Sequence, residues 1–220
     1  MEELYEKKVD CPVCNEKFKT TKVKRSKLRV EKRDSDFFTH YKCENPVKYD
    51  VFVCPNCGYS ALESKFEEVK PKDKELIKKE ITSKWKKREF NGVRSVDDAI
   101  ECYLIALCNC QILNSKKLDI GNVSLRTAWL YRMKEDIKED RFLKIALDSY
   151  EEAYMKESLA STNMDQITLG YLVGELYRKL GDNDKAVSWF GNVVSDPLIK
   201  TKPNIEKMAR EQWNNIRENK

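Results

Sequence analysis

The chain contains two short motifs, C-P-V-C and C-P-N-C, that together offer four thiolates: Cys11, Cys14, Cys54 and Cys57. Two such pairs supply the tetrahedral, all-sulfur ligand set of a structural zinc site, which leaves no position for water or substrate. The turn in each motif directs backbone N–H groups at the sulfurs. The residues that follow, Asn15 and Gly58, tolerate the positive φ that this turn requires. We therefore predict one structural Zn²⁺ ion bound by these four cysteines.

Two further residues compete as metal ligands, because His40 and Cys43 form an H-x-x-C sequence. The paired motifs each supply a ready chelate, so we interpret His40 as an ordinary polar residue and Cys43 as a free thiol. The identity of the metal stays open, because four thiolates also bind the single iron of rubredoxin-like electron carriers. The long insert between the pairs and the helical remainder favour zinc, since an electron carrier needs neither.

Strands must position the second cysteine pair. Val47, Tyr49, Val51 and Val53 alternate with polar or differently facing residues, which predicts a strand that leads into Cys54. A second strand is predicted around residues 23–30. A module of about 60 residues buries little surface, so metal binding would contribute on the order of 10 kcal/mol to its folding. These features predict a small, β-rich, zinc-ribbon-like module over residues 1–70.

The insert between the two pairs is rich in Lys and Arg from Lys17 to Arg33 and then turns acidic and aromatic at 34–38. The basic part could follow nucleic-acid phosphates, with Phe18 or Phe37 as a stacking face. A solvated strand edge that discourages pairing with other chains is the interpretation we favour. In that case Arg29 or Arg33 would pair with the acidic residues. The net charge of +5 is too small for a dedicated nucleic-acid binder.

From residue 71 to residue 220 the apolar pattern becomes helical. A first helix is predicted from an N-cap at Asp73 to Asn91, with an apolar stripe at Ile77, Ile81 and Trp85. Ser95 begins a sequence that resembles a capping box, which predicts the start of a second helix. Residues after Pro203 predict a final capping helix. The fold class that we expect is therefore α+β, with the β-rich module followed by an all-α array.

A ladder of small and aromatic residues recurs along the helical part: Ala99-Tyr103-Ala106, Ala146-Tyr150-Ala153 and Ala186-Phe190-Val193. Recurrence of this kind indicates a repeat. The last copy, with Gly174 before it and Pro197 after it, fits the helix-turn-helix spacing of a tetratricopeptide repeat. In the middle copy Ala128 and Tyr131 fit the first helix, but the connection to the second is too long. We expect a tetratricopeptide-like array whose units cover one another's apolar faces.

Catalytic motifs are scarce in this sequence. His40 is its single histidine, and it contains no P-loop, no dinucleotide-binding glycine motif and no nucleophile–base constellation. Asp34 and Asp36 are its one suggestive carboxylate pair. Cys108 and Cys110 lie roughly 200° apart around a helix, so we interpret them, with Cys102, as small core or half-buried residues. We expect no enzymatic activity.

The ends and the cysteine content indicate a location. The chain contains no 18-residue apolar run, and its N-terminus lacks the basic and apolar segments of a signal peptide. Four of the eight cysteines lie in C-x-x-C pairs, which favours metal chemistry in a reducing compartment over disulfides. We therefore expect a cytoplasmic protein without a membrane partner.

The chain resembles an uncharacterised bacterial family, domain of unknown function 2225, over nearly its whole length. The resemblance rests on the two cysteine motifs and on the sequences R-D-S-D-F at 33–37 and N-P-V-K-Y at 45–49. It implies a zinc-ribbon-like segment before tetratricopeptide-like helices. It also implies that the Asp34–Asp36 and Asn45–Pro46 stretches belong to the design of the module, but it adds no activity.

These observations lead to one expected function and two alternatives. We expect a zinc-stabilised, non-enzymatic scaffold whose helical groove binds a protein or peptide. The alternatives are a nucleic-acid-binding protein that uses residues 17–33 and a rubredoxin-like iron electron carrier. If the two modules are independent, loss of a thiolate, as in Cys54→Ser, should unfold residues 9–60 and leave residues 96–195 folded.

Overall fold

The N-terminal part of the fold consists of three antiparallel β-hairpins. The computed structural model of the chain describes residues 3–160 and 162–218. Each hairpin is a separate two-stranded sheet, which pairs β1 with β2, β3 with β4, and β5 with β6. The strands are β1 Leu4–Asp10, β2 Lys17–Val23, β3 Val30–Arg33, β4 Thr39–Tyr41, β5 Val51–Val53 and β6 Ser60–Leu62.

Within the described residues, seven α-helices follow the hairpins. They are α1 Pro71–Glu80, α2 Val96–Ile112, α3 Lys117–Met133, α4 Lys138–Lys156, α5 Gln166–Lys179, α6 Asn183–Ser195 and α7 Pro203–Glu218. From α2 onward each helix packs against the next one along the chain. The predicted α+β class is confirmed. None of the helices in the described ranges combines the length and apolar character needed to cross a lipid bilayer.

The structure corrects both predicted strands. Pro46–Tyr49 forms a 3-10 helix, because the Asn45 side chain accepts a hydrogen bond from Val47 N and starts a turn. The strand is therefore only β5. The predicted strand around residues 23–30 is wrong as well, since β2 ends at Val23 and an exposed 3-10 turn, Arg25–Lys27, leads to β3. In Pro46–Tyr49 the alternation reflects side chains that a turn buries, whereas in residues 23–30 only Val23 is buried and Val30 is exposed.

The first predicted helix is shorter than expected, whereas the capping box is confirmed. Helix α1 begins at Pro71 rather than near Asp73, and it ends at Glu80. A 3-10 turn follows, so Trp85 lies outside the helix. At the start of α2, Ser95 Oγ accepts from Asp98 N at 3.1 Å, and Asp98 Oδ2 accepts from Ser95 N at 2.9 Å.

Two helix pairs are brought close together by glycines. A Cβ at Gly174 in α5 would lie 2.9 Å from the Phe190 ring of α6, and one at Gly121 in α3 would lie 2.5 Å from the Tyr150 ring of α4. Each glycine therefore lets an aromatic side chain of the second helix rest on the backbone of the first. The repeat spacing predicted the first of these contacts. It did not identify Gly121.

Two hydrophobic clusters cross the predicted boundary between residues 70 and 71. The larger one joins the helices to hairpin residues, among them Val51, Val53 and Leu62. The smaller one surrounds the cysteines and includes Ile77 and Ile81, which come from α1 and its end. The division into residues 1–70 and 71–220 stays a prediction, but apolar side chains from both sides of that boundary share both clusters.

Arg94 connects the segment before α2 to the hairpins by hydrogen bonds. Its side chain is 2% exposed, although it forms hydrogen bonds mainly with backbone carbonyls rather than with carboxylates. Arg94 Nη1 donates to Lys48 O at 3.1 Å and Val51 O at 2.9 Å, and Nε donates to Phe90 O at 3.0 Å. Because a buried guanidinium needs most of its donors satisfied, these carbonyls determine the course of residues 90–95.

Candidate metal centre

The two cysteine motifs form equivalent turns at the ends of two hairpins. The first cysteine turn, residues 11–16, connects β1 to β2, and the second, residues 54–59, connects β5 to β6. In each turn the N–H of the first cysteine donates to the carbonyl five residues later, at 2.9 Å and 2.8 Å. The residue after the second cysteine of each motif has a positive φ, 60° at Asn15 and 74° at Gly58. Its N–H donates to the carbonyl of the first cysteine. The conformation expected of both residues is confirmed.

These turns bring all four predicted sulfur ligands together. Every pair of sulfurs lies within 4.8 Å, and the Cys11–Cys57 and Cys14–Cys54 Sγ pairs are both 3.6 Å apart. Zinc–sulfur bonds of about 2.3 Å in a tetrahedron place sulfurs about 3.8 Å apart, so the cluster has the size of a four-thiolate site. Three of the cysteines are buried, and Cys14 is half-buried. Such a cluster indicates one bound metal ion that stabilises structure.

The electrostatics of the cluster favour a cation among the sulfurs. Hydrogen bonds from Cys54 and Cys57 lower the pKa of the Cys11 thiol well below its ordinary value. The same interaction with Cys11 raises the pKa of Cys54 and of Cys57 above its ordinary value. Without a metal ion, the cluster therefore favours deprotonation of one thiol and disfavours deprotonation of the neighbouring thiols. A divalent ion would remove that repulsion, because metal-bound thiols are deprotonated.

The second cysteine turn is covered by the segment that follows α1. A Cβ at Gly58 would lie 2.6 Å from the Trp85 indole, so both the positive φ and the available space require glycine. Trp85 Nε1 donates to Pro55 O at 2.8 Å, and Thr82 Oγ1 donates to Cys57 O at 3.0 Å. These contacts fix the turn and reduce solvent access, which suits a structural site better than a catalytic one.

A cluster of aromatic side chains packs beside the metal centre. The Phe66 ring is 1% exposed and contacts the rings of Phe18, Phe52 and Tyr59 at centroid distances of 6.0, 5.6 and 4.9 Å. Tyr59 OH donates to Phe66 O at 3.1 Å. Phe18 is therefore a core residue, and the proposal that it offers nucleic acid a stacking face is wrong.

The other cysteines and His40 lie outside the cluster. His40 Nε2 is 2.9 Å from Asp34 Oδ2, and Cys43 Sγ donates to Lys27 O at 3.4 Å. Burial raises the pKa of both Cys102 and Cys110 to about 11, so these thiols stay protonated near neutral pH, whereas Cys108 is exposed. All eight cysteines lie in the described ranges, and none of them forms a disulfide there.

The turn of the β3–β4 hairpin carries a second polar cluster. The acidic turn, residues 34–38, connects β3 to β4 and places the fully buried Asp36 beside Arg132 of α3. Arg132 Nη2 donates to Asp36 Oδ2 at 2.6 Å, and Nη1 donates to Asp34 Oδ2 at 3.0 Å. Arg132 Nε also donates to Glu139 at 2.7 Å. The prediction that Arg29 or Arg33 pairs with these carboxylates is wrong, because the partner comes from a helix 96 residues away.

Helix α5 binds the other side of the acidic turn. Tyr171 OH donates to Ser35 O at 2.8 Å, and Ser35 Oγ donates to Glu175 Oε1 at 2.5 Å. The Phe37 ring packs on Tyr171 with centroids 5.6 Å apart, so this second predicted stacking residue is also engaged. Sequence reasoning missed Arg132, Tyr171 and Glu175. No local signal identifies them, since their partners are remote in the chain.

Comparisons with known proteins give a family but no activity. The model of a family described as "Uncharacterized protein conserved in bacteria (DUF2225)" matches residues 4–216. A relative from Borreliella burgdorferi, described as an uncharacterized protein, is 22% identical over 154 residues, which cover 60% of this chain and 53% of the relative. The chain thus spans about half the length of the curated relative that it matches. No solved structure matches the chain.

Proposed function

The chain belongs to the bacterial DUF2225 family, and we propose that it is a non-enzymatic, cytoplasmic scaffold in which one Zn²⁺ ion stabilises the hairpins beside a protein-binding helical array. The observation that carries the proposal is the cluster of four sulfurs within 4.8 Å of one another. Cys11, Cys14, Cys54 and Cys57 would fill all four positions of a tetrahedral ion. A saturated site leaves no place for substrate, so its role is to fix the hairpins.

Zinc is preferred to iron because the site is attached to a large helical array, which an electron carrier does not need. The thiolate ligands themselves suit both metals. Elemental analysis of protein purified without added metal tests this choice. We expect about one zinc per chain and a colourless protein. One iron per chain, with the red colour of a ferric thiolate centre, would instead establish the electron-carrier alternative.

The helical array supports a role in binding polypeptide. Its helices pack in consecutive pairs, an arrangement that leaves faces available to partners. Helices α3 and α5 already bind the acidic turn, a segment remote in sequence, through both charges and aromatic rings. This internal example supports the proposal because the same chemistry can recognise a segment of another chain.

Cross-linking followed by affinity purification of the full chain tests the scaffold role. The experiment needs two baits, the native protein and a metal-free preparation. We expect the native bait to recover the same protein repeatedly, and a purified sample of that protein to bind with a measurable Kd. Repeated recovery of no partner by the native bait would contradict the scaffold role.

Nucleic-acid binding is a second candidate, favoured by the exposure of one basic segment. Between β2 and the acidic turn the exposed basic side chains are Lys24, Arg25, Lys27, Arg29, Lys32 and Arg33. Phosphate binding through them would weaken steeply as salt concentration rises. Titration of labelled single- and double-stranded oligonucleotides at increasing salt tests it. The scaffold proposal predicts no binding at physiological salt.

A further inference from the structure

A cavity of about 340 Å³ lies between the N-terminal hairpins and helices α3 to α5. Its volume is at the lower end of the range for small-molecule sites, about 300–1,000 Å³. Aromatic rings from both halves of the molecule form its walls, among them Phe38, Trp129 and Tyr150. The Phe38 and Trp129 rings stack with centroids 5.6 Å apart. This wall suits a flat apolar molecule.

The floor of the cavity is shaped by a close helix contact. Tyr150 packs on Gly121, where a Cβ would come within 2.5 Å of the ring. Tyr150 OH donates to Asn122 Oδ1 at 3.0 Å, which orients the ring. The aromatic surface is therefore fixed in place by packing and by a hydrogen bond, so a ligand would meet a preformed wall.

One lining residue has a buried donor without an acceptor. Trp129 Nε1 is buried and finds no hydrogen-bond partner among the described residues. An unpaired buried N–H is costly, and the great majority of such groups in proteins are paired. Trp129 thus offers a hydrogen bond that the fold itself leaves unused.

A guanidinium lies beside this donor. Arg126 precedes Trp129 by three positions on α3, so the two side chains are neighbours, and the guanidinium lies 5.8 Å from the indole centroid. Arg126 Nη1 donates to Asn122 O at 3.1 Å. Its Nε is 3.8 Å from Asp50 Oδ2, beyond hydrogen-bond distance, and Asp50 lies equally close to Lys22 at 3.7 Å. Asp50 also lines the cavity and compensates part of the charge of Arg126, and the remaining guanidinium N–H groups lie beside the aromatic walls.

We propose that this cavity binds a small aromatic carboxylate, with the ring between Trp129 and Tyr150 and the carboxylate on Arg126 and Trp129 Nε1. A carboxylate accepts hydrogen bonds from a guanidinium in a charge-assisted geometry and accepts from an indole N–H as well. The flat ring covers the aromatic walls. The proposal goes beyond the scaffold role and does not depend on it.

The probe is 2-naphthoate, and 2-naphthamide is its neutral control. The ¹H–¹⁵N indole resonance of Trp129 in the full, metal-loaded chain is followed during each titration and assigned with Trp129→Phe. We expect 2-naphthoate to shift this resonance saturably and the amide to bind at least about tenfold more weakly, a difference of about 1.4 kcal/mol. Absence of a saturable shift at millimolar probe, or equal binding of the two probes, would overturn the proposal.

Variants of the guanidinium locate the interaction. Arg126→Met should weaken binding of the carboxylate at least about tenfold and remove its preference over the amide, and Arg126→Lys should restore part of it. Arg141→Met is the matched control, since Arg141 is exposed on α4 and does not line the cavity. Native affinity in Arg126→Met contradicts the proposal. If Arg126→Met does not fold, the comparison of the two probes on the native protein decides.

Discussion

The cysteine turns and the acidic turn all lie at the ends of β-hairpins, but different interactions stabilise them. The cysteine turns share one local backbone geometry, and their four thiols need a cation that the chain does not supply. The acidic turn also closes with two backbone hydrogen bonds, from Asp34 N–H to Phe38 O and from Phe37 N–H to Asp34 O, but it needs no ion because side chains of α3 and α5 bind it. One kind of turn depends on a bound ion, and the other depends on the rest of the fold.

Each kind of turn therefore controls a different part of the structure. Loss of the ion should disturb the hairpins that the metal joins to each other. Loss of the buried ion pairs should separate the β3–β4 hairpin from the helices, with little effect on the metal.

Removal of the metal should have the largest effect. Chelation, or Cys54→Ser, should remove metal-linked stability on the order of 10 kcal/mol. Hydrogen exchange should then show lost protection in β1, β2, β5, β6 and α1. Because Val51 and Val53 pack in the helical cluster, we expect weaker protection in α2 as well, while α5 and α6 stay protected.

Cys43→Ser is the matched control for the metal experiment, because Cys43 lies outside the four-sulfur cluster. It should leave metal content and exchange protection unchanged. Unaltered protection of β1 and β5 after complete metal removal would contradict a structural role of the ion. Equal loss of protection in all helices would show that the hairpins and helices unfold as one unit.

Arg132→Met should produce the next largest effect, because it leaves the fully buried Asp36 without its main partner. Burial opposes the charged form of Arg132, but Asp36 and Glu139 outweigh it and raise the pKa of the guanidinium. Breaking such a pair costs about 3–5 kcal/mol. Urea denaturation measures the loss, and metal content should stay the same.

The double variant Arg132→Met/Asp36→Asn controls for the unpaired charge. It should recover part of the stability lost in Arg132→Met, because a neutral amide is cheaper to bury than a carboxylate. No recovery would show that the loss comes from the packing of Arg132 on Phe38 rather than from the charge.

The two cysteine turns themselves can be compared by matched substitutions. Gly58→Ala should cost about 3 kcal/mol, because it combines a left-handed backbone with a clash against Trp85. Asn15→Ala meets only the backbone cost and should lose about 1 kcal/mol. Thermal unfolding of the metal-loaded variants measures both values. Equal losses would show that contact with Trp85 adds nothing to the second turn.

A change of pH should give the smallest effect. Burial raises the pKa of Asp34, but His40 and Arg132 together outweigh it and leave the pKa below its ordinary value. The carboxylate therefore stabilises the fold above its unfolded pKa of about 3.9, and this contribution is lost as pH falls through the lower folded value. The native protein should lose more stability between pH 5 and pH 3 than Asp34→Asn. Both proteins release metal in acid, so this effect cancels when the stability of Asp34→Asn is subtracted from that of the native protein. An identical dependence of stability on pH in the two proteins would contradict the prediction.

Features whose physics is local could be predicted from the sequence alone. A C-x-x-C turn needs a positive φ after its second cysteine, so Asn15 and Gly58 could be assigned without knowing what surrounds them. The Ser95 capping box is equally local. The spacing of alanines and aromatics indicated which helical faces are buried, since helical periodicity depends only on the chain.

What those faces and turns contact depends instead on the tertiary fold. Periodicity shows that a residue is buried but not against which partner, so the same alternation fits both a strand and the 3-10 turn at Pro46–Tyr49. Arg132 meets Asp36, and Trp85 covers Gly58, because the fold brings distant segments together. The local spacing of residues does not reveal such pairs, because the two partners become buried together only after the chain has folded.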